Sequence, residues 1–414
     1  MGQHGNAHKL VLFMGCSMDL GKFVAKVIEV LSIVMPVWKS VDELHMELNT
    51  EGNLENPGHV RKLAGKLFRF MPAVTQLYVN SEQDEDEGGL VGALIDLYAG
   101  QLVKCESYVV VEPKSAVFEN LTRAVIRLGF DSNEQMCYQV PLQKLTHMYI
   151  AGDLQQTMHQ LQKAHSTGSV EFAQLEQLCI LSPVGDRLEE PYDFANISFP
   201  RLSVLRVNPS RKISQLLLQA RMPCRLDKLE ILTLYMGTIV LYNVSLDEPG
   251  KGKLAELLGN ESNFWAMTDF LFGTAQLSSH AVLTLGTLPQ NSSLAETKWQ
   301  HLTKLEVIPT IKLQALLQLI PQLSQMTELV VHDLEFDEEW EVVENGYERL
   351  EILRLNYDVT ETNQRMVMKL LARLLPKLLH IEELFLPMVP HDFYTFVQEY
   401  GAKYPHIAGF APDF

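Results

Sequence analysis

Leu350-Glu-Ile-Leu353-Arg-Leu355 is one copy of a phrase that runs through the chain: apolar, two residues, apolar, one residue, apolar. It reads Val41-Asp-Glu-Leu44-His-Met46 near the start. It returns as Leu202-Ser-Val-Leu205-Arg-Val207, Leu229-Glu-Ile-Leu232-Thr-Leu234, Leu302-Thr-Lys-Leu305-Glu-Val307 and Ile381-Glu-Glu-Leu384-Phe-Leu386. In an extended chain alternate residues face opposite sides, so Leu353 and Leu355 share one side while Ile352 and Arg354 share the other. A short strand that recurs with helical sequence between its copies predicts stacked repeats. Their strands form a parallel sheet with one packed face and one open face.

The middle apolar residue of each phrase marks its position. The markers are Leu44, Leu77, Met148, Leu178, Leu205, Leu232, Leu305, Leu329, Leu353 and Leu384. A degenerate copy is expected around Tyr108-Val-Val-Val111 and another at Val282-Leu-Thr-Leu285; residues 245–263 read as irregular. Between phrases the apolar period becomes helical, over Gly58–Phe70, Ala116–Leu128, Asp153–Ala164, Leu313–Ile320 and Asn363–Leu379. In the second of these, Phe118, Leu121, Val125 and Leu128 recur at spacings of three and four, a stripe that predicts a buried helix face. Proline punctuates the passage back to strand at Pro72, Pro200, Pro321 and Pro376, because it lacks a donor and disfavours helix in the residue before it.

A repeat array grows without needing a larger core, because each repeat packs on its neighbours, so 414 residues are compatible with one array. The net charge of −17 argues against a nucleic-acid backbone as the main partner. Five cysteines without a Cys-x-x-Cys pair read as reduced thiols, which places the chain in the cytoplasm or nucleus. The N-terminal stretch lacks the pattern of a secretory signal, and the apolar run at 23–35 is too short and too charged to span a bilayer. Gly15 and Gly21 before Lys22 suggest a phosphate loop, but five residues separate the glycines and Phe23 stands where a hydroxyl is needed; a repeat turn is the reading adopted. The thirteen histidines are scattered without metal-ligand spacing, and no nucleophile motif is present. The chain is therefore read as a non-enzyme without cofactor or metal. The acidic run at 81–88 reads as a solvated loop.

The recurrent phrase followed by a helix resembles the leucine-rich repeat, whose period is roughly 20–29 residues. The longer helical version is similar to the ribonuclease-inhibitor-like branch. The resemblance implies an α/β solenoid, a horseshoe with a parallel sheet on its concave face and helices on its convex face. The family often places Asn three residues after the last anchor; Asn49 fits, but Asp153, Pro183, Ser210, Gly237, Thr310, Leu334, Asp358 and Val389 stand there elsewhere. In this irregularity the chain resembles the repeat regions of divergent fungal F-box/leucine-rich-repeat proteins. That likeness implies the substrate-recognition part of an F-box-like ubiquitin-ligase adaptor, although no F-box is recognisable and the chain is expected to open inside a repeat at Leu10–Met14. A ubiquitin-ligase linker subunit is a partner only if an F-box belongs to the protein. Catalytic, GTPase-regulating and self-associating arrays are the alternatives.

The expected organisation is a flexible segment at 1–8, the irregular array at 9–390 and a C-terminal cap at 391–414, with a helix from His391 to Lys403. Function is expected on the open face. The position between the second and third anchors, and those just past the last, give His45, Tyr78, Tyr149, Arg206, Tyr235, Arg354, Tyr357 and Phe385 as candidate contacts for a protein partner. Tyr and Arg concentrate at the energetic centres of interfaces, and Phe is enriched in interfaces generally.

Overall fold

The computed structural model describes residues 8–14, 39–48, 57–81, 89–107, 117–127, 140–151, 153–164, 169–181, 192–260, 264–274, 280–288, 299–337, 339–342 and 347–387, with isolated positions between 26 and 33. The recurrent phrase forms strands as its alternation predicts. Every marker except Leu232 is buried, and so are flanking anchors such as Val41 and Met46 or Leu350 and Leu355. The fold is mixed α/β, and among the described residues its main sheet holds 15 strands. The chain groups into two compact units, Met1–Arg206 with Gln215–Pro223, and Val207–Ser214 with Cys224–Phe414.

In the first unit the main strands are β1 (Lys9–Met14), β2 (Glu43–Leu48), β3 (Gln76–Ser81), β4 (Lys104–Ser107), β5 (Arg123–Arg127), β6 (His147–Ala151), β8 (Gln177–Leu181) and β10 (Val204–Val207), neighbours in that order. From β1 to β8 each pair is parallel. The register sets Leu44, Leu77, Cys105, Ala124, Met148 and Leu178 in one line. Helices α1 (Pro57–Phe70), α2 (Leu90–Tyr98) and α3 (Leu154–Ala164) connect these strands. Tyr98 on α2 is fully buried; its hydroxyl donates to the Met71 carbonyl and its ring meets Phe68. Two short strands, β7 (Val170–Glu171) and β9 (Ile197–Ser198), pair with each other. Helix α4 spans Arg211–Gln219.

The second unit opens on an antiparallel hairpin, β11 (Arg225–Thr233) and β12 (Gly237–Ser245). Helices α5 (Glu248–Leu258) and α6 (Phe264–Gly273) follow, the first capped by Asp247, whose side chain accepts from the Gly250 amide. Strand β13 (His280–Leu285) is antiparallel to β12. From there β14 (Leu302–Val307), β16 (Glu328–Val331), β18 (Ile352–Leu355) and β19 (Glu383–Phe385) add in parallel. Leu305, Leu329, Leu353 and Leu384 stand in register. Two short strands, β15 (Ile311–Lys312) and β17 (Leu334–Glu335), pair with each other. Helices α7 (Leu313–Leu319) and α8 (Glu361–Leu374) each run into a short 3-10 turn at the expected proline.

The structure corrects three expectations. The helix expected over 116–128 is replaced, over the described residues 117–127, by a segment that contains β5. The reason is a second reading of the same residues: Leu121-Thr-Arg-Ala124-Val-Ile126 is itself a copy of the strand phrase, with small Ala124 as its middle anchor. Strand β11 uses Leu226, Leu229 and Ile231 as buried anchors, three residues earlier than expected, and Leu234 is exposed. The stretch read as irregular contains α5. The proposed strand at 108–111, the glycine-containing turn at 15–22, the acidic run beyond Ser81 and the cap at 391–414 lie outside the described residues.

Hydroxyls reinforce the strand stack. Just after the first anchor, Thr75, Thr122, Thr146 and Ser203 donate to the carbonyls of Asp42, Val103, Thr122 and Glu176 on preceding copies. In the second unit Thr303 and Thr327 donate to Ala281 and Thr303. The amides of the same positions generally bond across as well, for example Thr146 to Thr122 and Thr327 to Thr303. Stacking is thus secured at the strand entrance.

Candidate functional site

The open face of the first unit is built by the residues alternating with its anchors. One row runs Val11, His45, Tyr78, Glu106, Val125, Tyr149 and Cys179 across successive strands. The row beside it runs Lys9, Glu43, Gln76, Lys104, Arg123, His147 and Gln177. Because each residue is fixed by strand register, its position is held by the backbone rather than by its own side chain.

At the centre is an aromatic and cationic cluster. The rings of His45 and Tyr78 stack with centroids 3.9 Å apart, and the Lys104 ammonium sits 4.3 Å from the Tyr78 centroid. Lys104 also pairs with Glu106 at 2.8 Å. Glu43 bridges Lys9 and His45; burial pushes its carboxyl up, but hydrogen bonds from these two side chains and the adjacent Lys9 charge outweigh burial and hold it below the usual range. Burial holds the His147 imidazole below its ordinary value, and the charges of Arg123 and Lys104 add to this against Glu176 and Glu106. Thr146 Oγ1 lies 2.9 Å from His147 Nδ1.

This environment sets the sign of a pH effect. A depressed histidine favours the neutral ring in the folded state, so its stabilising share is complete above the unfolded value and is lost as pH falls through the folded one. The urea midpoint of the chain is expected to fall on acidification below the ordinary histidine range, near 6.5. His147→Gln is expected to flatten that slope; an unchanged slope between pH 7.5 and 5.5 rejects the assignment.

In the second unit the corresponding row is Thr284, Glu306, Val330, Arg354 and Phe385. It is laced by bonds between strands. Glu306 accepts from Thr284 at 3.2 Å and faces His332 at 2.8 Å, while Arg354 meets Glu383 at 2.7 Å. The Glu383 carboxylate holds Arg354 firmly charged.

The expected contact residues therefore separate. His45, Tyr78 and Tyr149 come together on one row of the first unit, and Arg206 on β10 is half-buried in the same unit. Arg354 and Phe385 are neighbours in the second. Tyr235 lies at the turn between β11 and β12, 78% exposed and with φ of 68°. Tyr357 is buried: its hydroxyl donates to the Pro387 carbonyl and its ring packs edge-on against Phe336, so it joins repeats rather than facing a partner. Sequence reasoning missed Lys104, Glu106, Arg123 and His147. The signal for the first three was present in Leu102-Val-Lys-Cys105-Glu-Ser107 and Leu121-Thr-Arg-Ala124-Val-Ile126, hidden by small middle anchors.

Away from the open faces, a cleft of about 540 Å³ lies among Gln314, Trp340, Glu341, Met366, Lys369 and Arg373. Arg373 sits over the Trp340 ring at 5.0 Å. Cys105 is buried, and burial with nearby Glu106 pushes its thiol up to about 12, which suits packing rather than nucleophilic chemistry. Among the described residues no three His, Cys, Asp or Glu side chains group to hold a metal ion, and no helix is long and apolar enough to cross a membrane. No family model matches the chain, and no curated protein or solved structure matches it either.

Proposed function

We propose that this protein is a non-enzymatic binding scaffold, an irregular leucine-rich-repeat array whose first unit offers its open sheet face to a protein partner. The observation that carries the reading is the stack of His45 on Tyr78 with Lys104 over the Tyr78 ring. Aromatic side chains fixed on strands lose little conformational freedom on binding, and such anchors supply most of the energy at an interface.

The test is a photo-crosslinking residue placed at Val125 on the open face and, separately, at Lys62 on α1. The expected result is one specific protein adduct from Val125, lost in the His45→Ala, Tyr78→Ala double variant, and none of that mass from Lys62. Equal adducts from both positions reject the reading.

The narrower form is the substrate-recognition part of an F-box-like ubiquitin-ligase adaptor. It rests on the likeness of the strand phrases. Recovery of a ubiquitin-ligase linker subunit with the full-length chain supports it, and a purification without that subunit counts against it.

A further inference from the structure

Cations on the open faces are matched with carboxylates almost as a rule. Lys9 has Glu43 at 3.1 Å, Lys104 has Glu106 at 2.8 Å, Lys304 has Glu328 at 2.6 Å and Arg354 has Glu383 at 2.7 Å. Arg123 departs from this. Its register neighbours are Lys104 on β4 and His147 on β6, both basic. Its side chain is exposed, and among the described residues no carboxylate stands within ion-pair distance of it.

Lys104 and Arg123 set like charges on directly opposed strand positions, which is unfavourable. Strands lie about 4.8 Å apart, so the three basic positions span roughly 10 Å of the sheet. They do so in a chain whose net charge is −17. The adjacent row carries Tyr78 and Tyr149, with Glu106 and Val125 between them. Two cations and a histidine thus border a row that carries two tyrosines. A guanidinium fork matches a planar carboxylate bidentately, which a lysine ammonium does not. Two or more carboxylates on an extended chain fit a strip three strands wide better than a single compact anion does.

We propose that the Lys104, Arg123 and His147 row recognises the carboxylate side chains of an acidic, tyrosine-bearing peptide segment of the protein partner, with Arg123 as the bidentate contact. This rests on the open-face reading above and names the chemistry of its partner. Lys104 is already shared with Glu106 and Tyr78, so Arg123 is the cation with most to gain. Four charged groups bear on His147: Arg123, Lys104, Glu176 and Glu106. A bound carboxylate adds to the acidic side of that balance and favours the protonated ring.

The experiment uses the full chain and three probes: a fluorescent peptide of alternating glutamate and tyrosine, its glutamine counterpart, and inorganic phosphate. The glutamate peptide is expected to bind and to move the NMR titration midpoint of His147 upward. Arg123→Ala is expected to weaken binding about tenfold or more, and Arg123→Lys to weaken it less. Residue 123 is exposed, so neither variant disturbs the core. Equal binding of the glutamine peptide, unchanged affinity in Arg123→Ala, or a His147 shift produced as well by phosphate each overturns the proposal. If the Val125 cross-link to the partner persists in Arg123→Ala while the peptide does not bind, this inference falls and the binding face stands. Loss of that cross-link in the unaltered chain is the failure of the binding face itself.

Discussion

Trp299→Ala is expected to lower stability by about 3–5 kcal/mol, the range for deleting a buried aromatic side chain. Trp299 has no exposed surface. It meets Phe272 edge-on at 6.1 Å and lies parallel to Trp265 at 6.5 Å, so it joins α6 to the start of the β14 repeat. An indole of this kind buries roughly 200 Å². At about 25 cal/mol per Å² that is roughly 5 kcal/mol of transfer free energy. Its Nε1–H donates to Asp269 at 2.8 Å. Asp269 is exposed, so water replaces the lost donor and this bond adds only about 1 kcal/mol. Packing therefore dominates. Trp299→Phe should recover more than half the loss, and Asp269→Asn should cost less than about 1 kcal/mol. The readout is the urea midpoint together with amide protection in α6 and β14. A Trp299→Ala midpoint shift worth less than about 1 kcal/mol rejects the packing argument.

Gly237→Ala is expected to cost about 2 kcal/mol or more and to open the β12–β13 pairing first. Gly237 has φ of 132°, a backbone conformation that L side chains rarely adopt. An added Cβ would stand 2.0 Å from the Thr284 carbonyl oxygen and 3.0 Å from the Gly286 amide nitrogen. Both obstacles are backbone, one in β13 and one just past its end, so relief means moving β13 itself. The internal comparison is Gly65, inside α1, where an added Cβ meets nothing within 4 Å. Gly65→Ala should stabilise by about 0.5–1 kcal/mol through helix propensity and a less free unfolded chain. Hydrogen exchange at Val240 and Tyr242, at the positions that bond to β13, separates the cases. Slow exchange there in Gly237→Ala, equal to that of the unaltered chain, would show that the strands tolerate the methyl group.

How far the amino-acid sequence revealed the structure depends on anchor size. Leu305, Leu329, Leu353 and Leu384 advertise their strands because a large apolar residue stands where the core requires one. Cys105 and Ala124 occupy the same line of the core, but their small side chains weaken the phrase, and a helical spacing of Phe118, Leu121, Val125 and Leu128 then competes with it. In β11 the difficulty is the reverse. Leu226, Leu229, Ile231, Leu232 and Leu234 satisfy two overlapping phrases, and only pairing with β12 selects the earlier one. The antiparallel insertion of β12 carries no phrase of its own. At the site, His45, Tyr78 and Tyr149 were legible because their strands were. Arg123 was not, because the strand that displays it was read as a helix.

The hydroxyl column at the strand entrances has a consequence for information. Each Thr or Ser donates to a main-chain carbonyl, and a carbonyl is present whatever residue carries it: Asp42, Val103, Glu176 and Ala281 all serve. Each such bond therefore specifies one small polar side chain and leaves its neighbour unspecified. A stack held in this manner keeps its register while most surface letters drift, and a comparison that scores side-chain identity has little to hold on to.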